Sequence, residues 1–177
     1  MRVFEFDNAI YKGDLVNDLL TFVINKKEKY KSFLPLIKPL LALYNMDLLS
    51  ASKIESFVDK YDDKIFASKE QVVKLGELFF KENADKLDEE LLKKVKRGDL
   101  IITVVPKEFL EPLKLKTKKI FGTEIDYKTN DVEFICYKER RYEKYKELYN
   151  DLEVDEYYTS SKKDKDMINR AKKTIYR

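Results

Sequence analysis

Two carboxylates, Glu5 and Asp7, close the short apolar run Val3-Phe4-Glu5-Phe6-Asp7, and a polar loop from Asn8 to Asp14 follows. Side chains two apart on a strand share a face, so the pair leaves the sheet together at its carboxyl end. That edge is where open α/β sheets place their ligands. Without its flanks, the same pair reads as two solvated acids at a strand end. The chain contains no histidine, which excludes a histidine base, a Ser-His-Asp triad and any His-ligated metal. A metal in such a chain is a hard cation held by oxygen ligands.

Hydrophobic periodicity supplies the elements that carry these groups. Residues 1–7 read as a buried strand. From about Leu15 to Lys96 the pattern is helical: Leu19, Leu20, Val23 and Ile24 recur at helix spacing, as do Phe33, Leu36, Ile37, Leu40, Leu41 and Tyr44. Ser52 with Glu55 resembles a capping box opening a helix over Ile54, Phe57, Val58 and Tyr61. Ser68 precedes a helix carrying Val72, Val73, Leu75, Leu78 and Phe79, and a short helix near Asp88 to Val95 stops at Gly98. The period then changes. Asp99 to Val105 reads as a buried strand ended by Pro106, which opens a helix containing Phe109, Leu110 and Leu113. Phe121 to Ile125 and Val132 to Cys136 are strand-like around Lys128-Thr129-Asn130-Asp131, a hairpin pattern. A polar helix from about Glu139 to Tyr149, a strand over Val154 to Thr159, a short helix over Asp164 to Ala171 and a strand over Thr174 to Tyr176 complete the chain. This alternation predicts an α/β fold with a mainly parallel sheet flanked by helices. The helical block is then an insertion after the first strand, packed as a small bundle above the sheet's carboxyl edge.

Composition narrows the function classes. At 177 residues the chain is long enough for one domain with a real core, or a small core domain carrying an insertion. Its 36 basic and 33 acidic residues give a net charge of +3 and are interspersed, which does not argue for a nucleic-acid partner. The locally basic Lys162, Lys163, Lys165, Lys172, Lys173 and Arg177 read as a solvated face. The single cysteine, Cys136, excludes an internal disulfide and suits a reducing compartment. No signal-peptide pattern is seen, and no apolar run approaches the roughly 18 residues of a membrane span. A cytoplasmic protein without a membrane partner is expected.

The run Val3 to Asp14 resembles the first motif of the haloacid dehalogenase (HAD) superfamily, and the rest of the chain resembles its phosphoserine-phosphatase-like subgroup with a helical cap. The resemblance implies a Rossmannoid core over residues 1–14 and 97–177 and a helical cap over 15–96. In the family an apolar strand delivers Asp-x-Asp to a phosphate and Mg²⁺. Glu5 takes the nucleophile position, and Asp7 the position of the general acid/base. Leu100-Ile101-Ile102-Thr103 matches the second motif, with Thr103 as the hydroxyl that hydrogen-bonds the phosphoryl group. Val104 to Leu113 resembles that subgroup's Ser-x-Ser-Pro-Glu-x-x-Leu run, with Val105 in place of the second small polar residue. Counting from Cys136 through Glu139 puts Arg141 at the charge-neutralising lysine of the third motif, with Lys144 one turn on as the alternative. In the fourth motif Ser160 stands at the first acidic metal ligand and Asp164 keeps the second. The implied metal set is therefore Glu5, Asp7, Ser160 and Asp164, for a weak or absent Mg²⁺.

Three of these positions depart from the family. A glutamate nucleophile adds one methylene, roughly 1.5 Å of reach, and a misplacement near 1 Å can cost about a hundredfold in rate. Arg141 keeps the charge with a different, bidentate geometry. Ser160 removes a carboxylate where Mg²⁺ usually takes one or two. The resemblance with these departures implies a phosphatase-like protein whose phosphomonoester hydrolysis is lost or much reduced, with a small phosphorylated molecule as the ligand class. The alternatives are an active Mg²⁺-dependent phosphomonoesterase and a non-catalytic module binding a partner through the helices around Phe33 to Tyr44.

Overall fold

A computed structural model describes residues 1–7, 9–26, 68–129, 131–162 and 164–177, with isolated positions at 42, 46, 48, 50, 52, 53 and 56. The chain runs β1 (Arg2–Glu5), α1 (Leu15–Lys26), α2 (Lys69–Glu82), a 3-10 turn (Ala84–Lys86), α3 (Glu89–Lys94), β2 (Leu100–Pro106) and a second 3-10 segment (Lys107–Leu113). It continues through β3 (Lys119–Asp126), β4 (Asp131–Phe134), α4 (Glu139–Tyr149), β5 (Val154–Thr159), α5 (Lys165–Arg170) and β6 (Ala171–Tyr176).

The six strands form one sheet in the order β4-β3-β2-β1-β5-β6. β1 is central and parallel to both neighbours, with Val3 opposite Leu100 on β2 and Tyr157 on β5. β3 and β6 extend the parallel set, and β4 closes one edge antiparallel to β3 as the hairpin pattern predicts. β2 and β5 flank β1 on opposite sides, so the connections diverge beyond its carboxyl end. Glu5 and Asp7 emerge at that divergence.

Alternation along β1 loads the two faces differently. Phe4 and Phe6 face a cluster with Ile101, Val105 and Tyr158, covered by Leu15 and Phe22 of α1, Val72, Phe79 and Phe80 of α2, and Leu91 of α3. Val3 faces the opposite cluster with Leu100, Ile102 and Tyr157, covered by Tyr145 of α4 and Met167 of α5. The helices at both ends of the span 15–96 thus share a core with the sheet. Most of 27–67, including Glu55 of the capping pattern and the apolar helix around Phe33 to Tyr44, lies outside the described residues. Ser68 caps α2 by accepting from the Gln71 amide at 3.3 Å, and Asp88 caps α3 by accepting from the Leu91 amide at 2.8 Å. Among the described residues no helix is long and apolar enough to cross a membrane.

The segment after Pro106 departs from expectation. Pro106 ends β2, and Lys107–Leu113 winds as a 3-10 helix with Pro112 inside it. Proline lacks the amide that α-helical pairing needs, and its ring clashes with the preceding turn. Phe109 and Leu110 are still buried, with Phe109 ring-to-ring against Phe79 at 5.5 Å and Phe80 at 5.1 Å.

That contact requires α2 to approach the 3-10 segment closely, and Gly76 permits it. A Cβ at Gly76 would lie 2.1 Å from the Phe109 carbonyl oxygen and 3.0 Å from its carbon. Alanine there gains about 1 kcal/mol of helix propensity, but forced overpacking costs about 1–3 kcal/mol, and the obstacle is backbone. Gly76→Ala is expected to lower the melting temperature by several degrees in thermal unfolding followed by circular dichroism. An unchanged or raised midpoint would show that the two segments can part without loss.

Candidate functional site

Five side chains from five segments meet at the carboxyl ends of the central strands. Glu5 ends β1 and Asp7 begins the following loop. Thr103 lies on β2, Arg141 in the first turn of α4, and Asp164 immediately before α5. All five are buried. Parallel pairing of β1 with β2 and β5 aligns their carboxyl ends, so residues far apart in sequence converge there.

Arg141 is the hub. Its Nη1 donates to Glu5 Oε1 at 2.5 Å, its Nη2 to Asp7 Oδ2 at 2.8 Å, and its Nε to the Cys136 carbonyl at 3.2 Å. Nη1 also lies 3.8 Å from Asp164 Oδ2. The chain enters α4 through Lys138, whose φ of 47° is a left-handed conformation that favours glycine. Lys144, the other candidate cation, pairs with Glu124 and Glu147 at 3.4 and 3.7 Å and lies over the Phe134 ring. Arg141 is therefore the cation that the fold brings to Glu5 and Asp7.

The three carboxylates also accept from other groups of the chain. Thr103 donates its hydroxyl to Asp7 Oδ1 at 2.9 Å, and the Val104 amide donates to Asp7 Oδ2 at 2.8 Å. Thr159 donates its hydroxyl to Glu5 Oε2, and Tyr157 donates its hydroxyl to Asp164 Oδ2 at 2.8 Å. Gly122 on β3 leaves room for this corner, since a Cβ there would lie 2.8 Å from Thr103 Cγ2 and 2.1 Å from the Val105 carbonyl oxygen. Ser160, at the end of β5, is half-buried and is not among the groups hydrogen-bonded to the three carboxylates. Thr159 and Tyr157 were not anticipated from the sequence. The available signal is their spacing, since polar-tipped residues at i and i+2 on a buried strand face one side together, the side on which Val3 lies.

Burial sets the acid-base character. It pushes the Glu5 carboxyl up from its ordinary 4.5 to about 6, against the pull of the Arg141 charge. Burial likewise raises Asp7 and Asp164, each opposed by Arg141. For Arg141 burial acts downward, yet the facing Glu5 and Asp7 charges outweigh it and hold the guanidinium firmly protonated. The Cys136 thiol is pushed up to about 12 by burial, so it is no nucleophile near neutrality.

No protein-family model matches the sequence, and no curated protein matches it. Among solved structures, a protein of unknown function from Bordetella pertussis Tohama I superposes with a TM-score of 0.71 at 15% identity, over 99% of this chain and 88% of that one. A phosphoserine phosphohydrolase-like protein from Francisella tularensis subsp. tularensis SCHU S4 superposes with a TM-score of 0.57 at 18% identity, over 99% and 87%. The likeness is one of fold. The chain has a Rossmann-like α/β architecture, a mostly parallel sheet flanked by helices.

The Mg²⁺ expected from the sequence resemblance raises the question whether the residues present suit it. An octahedral cation needs oxygens at about 2.0–2.1 Å with lone pairs turned towards it. Glu5 Oε1, Asp7 Oδ2 and Asp164 Oδ2 are instead turned towards Arg141. Among the described residues no group of three or more Asp, Glu, Cys or His side chains is arranged to hold a metal ion. The buried side-chain polar atom lacking a hydrogen bond among those residues is Arg170 Nε, outside this cluster. The donor set does not fit the cation.

The raised Glu5 carboxyl has a thermodynamic consequence. The folded state binds its proton more tightly than the unfolded chain, so its stabilising contribution is fully present below about pH 4.5 and is lost as pH rises through about 6. The shift corresponds to about 2 kcal/mol. Unfolding free energies of the native chain and Glu5→Gln, measured by urea denaturation from pH 4 to 7, are expected to diverge through that window, the native chain losing ground. Parallel pH profiles would refute the assignment.

Proposed function

We propose that the chain is a HAD-like, phosphatase-fold protein in which phosphomonoester hydrolysis has been lost or much reduced. The observation that supports this reading is that both oxygens of Glu5, at the nucleophile position, are engaged by groups of the chain itself, Arg141 and Thr159. In-line attack needs a carboxylate oxygen free to face phosphorus at about 3–3.5 Å. The extra methylene of glutamate carries Oε2 across to β5 instead.

Charge points the same way. Glu5, Asp7 and Asp164 set three negative charges against one on Arg141, a formal balance of −2 when all are ionised. A phosphate dianion entering this cluster meets net repulsion. A small phosphorylated ligand held at this cluster would need a further cation.

The second reading, an active Mg²⁺-dependent phosphomonoesterase, draws on Asp7. A buried carboxyl with a raised pKa suits a general acid that protonates a leaving oxygen. Release of inorganic phosphate from a panel of small phosphomonoesters, with Mg²⁺ present, separates the two. No release above buffer is expected from the folded native chain. Turnover that disappears in Asp7→Ala would overturn the proposal in favour of the enzyme.

A further inference from the structure

We infer that the amino-terminal edge of the sheet is a basic platform that binds the phosphodiester backbone of a double-helical nucleic acid without reading its sequence. The platform lies at the edge opposite the acid cluster and does not rest on how that cluster is read. Two short runs build it. Residues 93–99 lead from α3 into β2 and carry Lys93, Lys94, Lys96 and Arg97. Residues 114–119 lead into β3 and carry Lys114, Lys116, Lys118 and Lys119. All eight residues are exposed.

Parallel pairing of β2 with β3, which sets Leu100 opposite Lys119, brings the two runs side by side. The buried Thr117 hydroxyl donates to the Asp99 carbonyl at 2.6 Å and accepts from the Lys119 amide at 3.0 Å. Lys116 Nζ donates to the Lys93 carbonyl at 3.2 Å. Asp99, the one acid in the two runs, is buried and turned inward. It accepts from Arg2 Nε at 3.1 Å, Arg2 Nη2 at 2.6 Å and the Lys96 amide at 2.6 Å. Its charge is therefore neutralised within the fold. Lys93 pairs with Glu89 at 3.3 Å, and the other seven bases form no ion pair among the described residues. Glu153 and Asp155, at the amino end of β5, are paired with Lys172.

Interspersed along the sequence, the charges do not argue for nucleic acid, but the fold sorts them. Eight bases and one acid give the two runs a net +7, whereas the whole chain carries +3, so the remainder is net negative. The field is one-sided. The residue types select the partner. Seven lysines and one arginine suit phosphate contacts, which carry no sequence information. The runs contain no aromatic ring on which unpaired bases could stack, which disfavours single strands. No large apolar side chain is exposed within them to enter a bilayer, and stable membrane anchoring takes a second signal beside basic charge. A duplex, with one charge per about 1.7 Å of its axis, matches a fixed array of cations.

The test is fluorescence anisotropy of the full chain with labelled DNA duplexes of about 30 base pairs and with the matching RNA duplex, whose relative affinities name the nucleic acid. Two DNA duplexes of unrelated sequence are expected to bind within about twofold of each other. Affinity is expected to fall about a hundredfold between about 50 and 200 mM NaCl, as four phosphate contacts require. The combined Lys94→Glu, Lys96→Glu, Lys118→Glu and Lys119→Glu variant is expected to bind at least about tenfold more weakly than a control with the same reversal at exposed Lys74, Lys81, Lys128 and Lys146. Both are expected to keep the native melting temperature, and Lys→Gln at the four platform positions is expected to act in the same direction. Absence of duplex binding at about 50 mM NaCl overturns the inference. Equal weakening by the platform and control variants also overturns it, since the effect would be one of net charge. Tighter binding to phosphatidylserine vesicles than to either duplex, lost in the platform variant, overturns the choice of partner.

Discussion

Burying Glu5, Asp7 and Asp164 together is tolerable in this fold because one guanidinium lies among them. Desolvating a carboxylate costs several kcal/mol even after relaxation, and three at one strand edge would drive the sheet apart or protonate. Arg141 supplies three hydrogen bonds and a longer ion pair with Asp164 from a planar group, and the hydroxyls of Thr103, Tyr157 and Thr159 also donate to the carboxylates. The result joins β1, β2, β5, α4 and the start of α5. Truncating one partner of such a cluster generally costs more than the intact pair contributes, since a buried charge is left without compensation.

The architecture around this cluster is a device for convergence. A parallel sheet puts all its carboxyl ends on one side, and a central β1 makes that side the meeting point of its neighbours. Close approach is then needed at two places, and glycine provides both: Gly76 lets α2 reach the Phe109 carbonyl, and Gly122 lets β3 pass Thr103 and Val105. Lys138 meets its own demand at a cost. A non-glycine residue at positive φ stores strain of about 1–3 kcal/mol, and here it aims Arg141 back towards the strand ends.

Much of this was legible in the residues. Period-two and period-3.6 patterns placed β1, β2, α4 and β5, and the i, i+2 pairing of Glu5 and Asp7 placed both acids at the carboxyl end of β1. The count from Cys136 through Glu139 offered Arg141 with Lys144 as the alternative, and the fold brings Arg141 to Glu5 and Asp7 while Lys144 pairs with Glu124 and Glu147. Thr159 and Tyr157 escaped because a threonine or tyrosine in a strand is ordinarily a packing residue, and what they touch depends on register across β1. The 3-10 winding after Pro106 escaped because Pro112 and the Gly76 approach act together, one local and one distant. The closed state of the cluster is not written in any single motif, since it arises from oxygens on three segments turning to one donor.

The order in which these pieces appear along the chain bears on how the molecule comes together. β1 occupies the middle of the sheet, yet its neighbours lie far downstream: Val3 pairs with Leu100 on one side and Tyr157 on the other. Closing such long loops costs conformational entropy before any contact repays it, and non-local parallel pairing slows folding. The central strand can therefore be enclosed on both sides only once both distant neighbours have arrived, although it is synthesised before every other element described. Until β5 docks, its apolar face and its two acids remain in water, where the acids hydrate freely and keep an otherwise sticky strand soluble. The same carboxylates that burden the finished core thus act as gatekeepers for the nascent one.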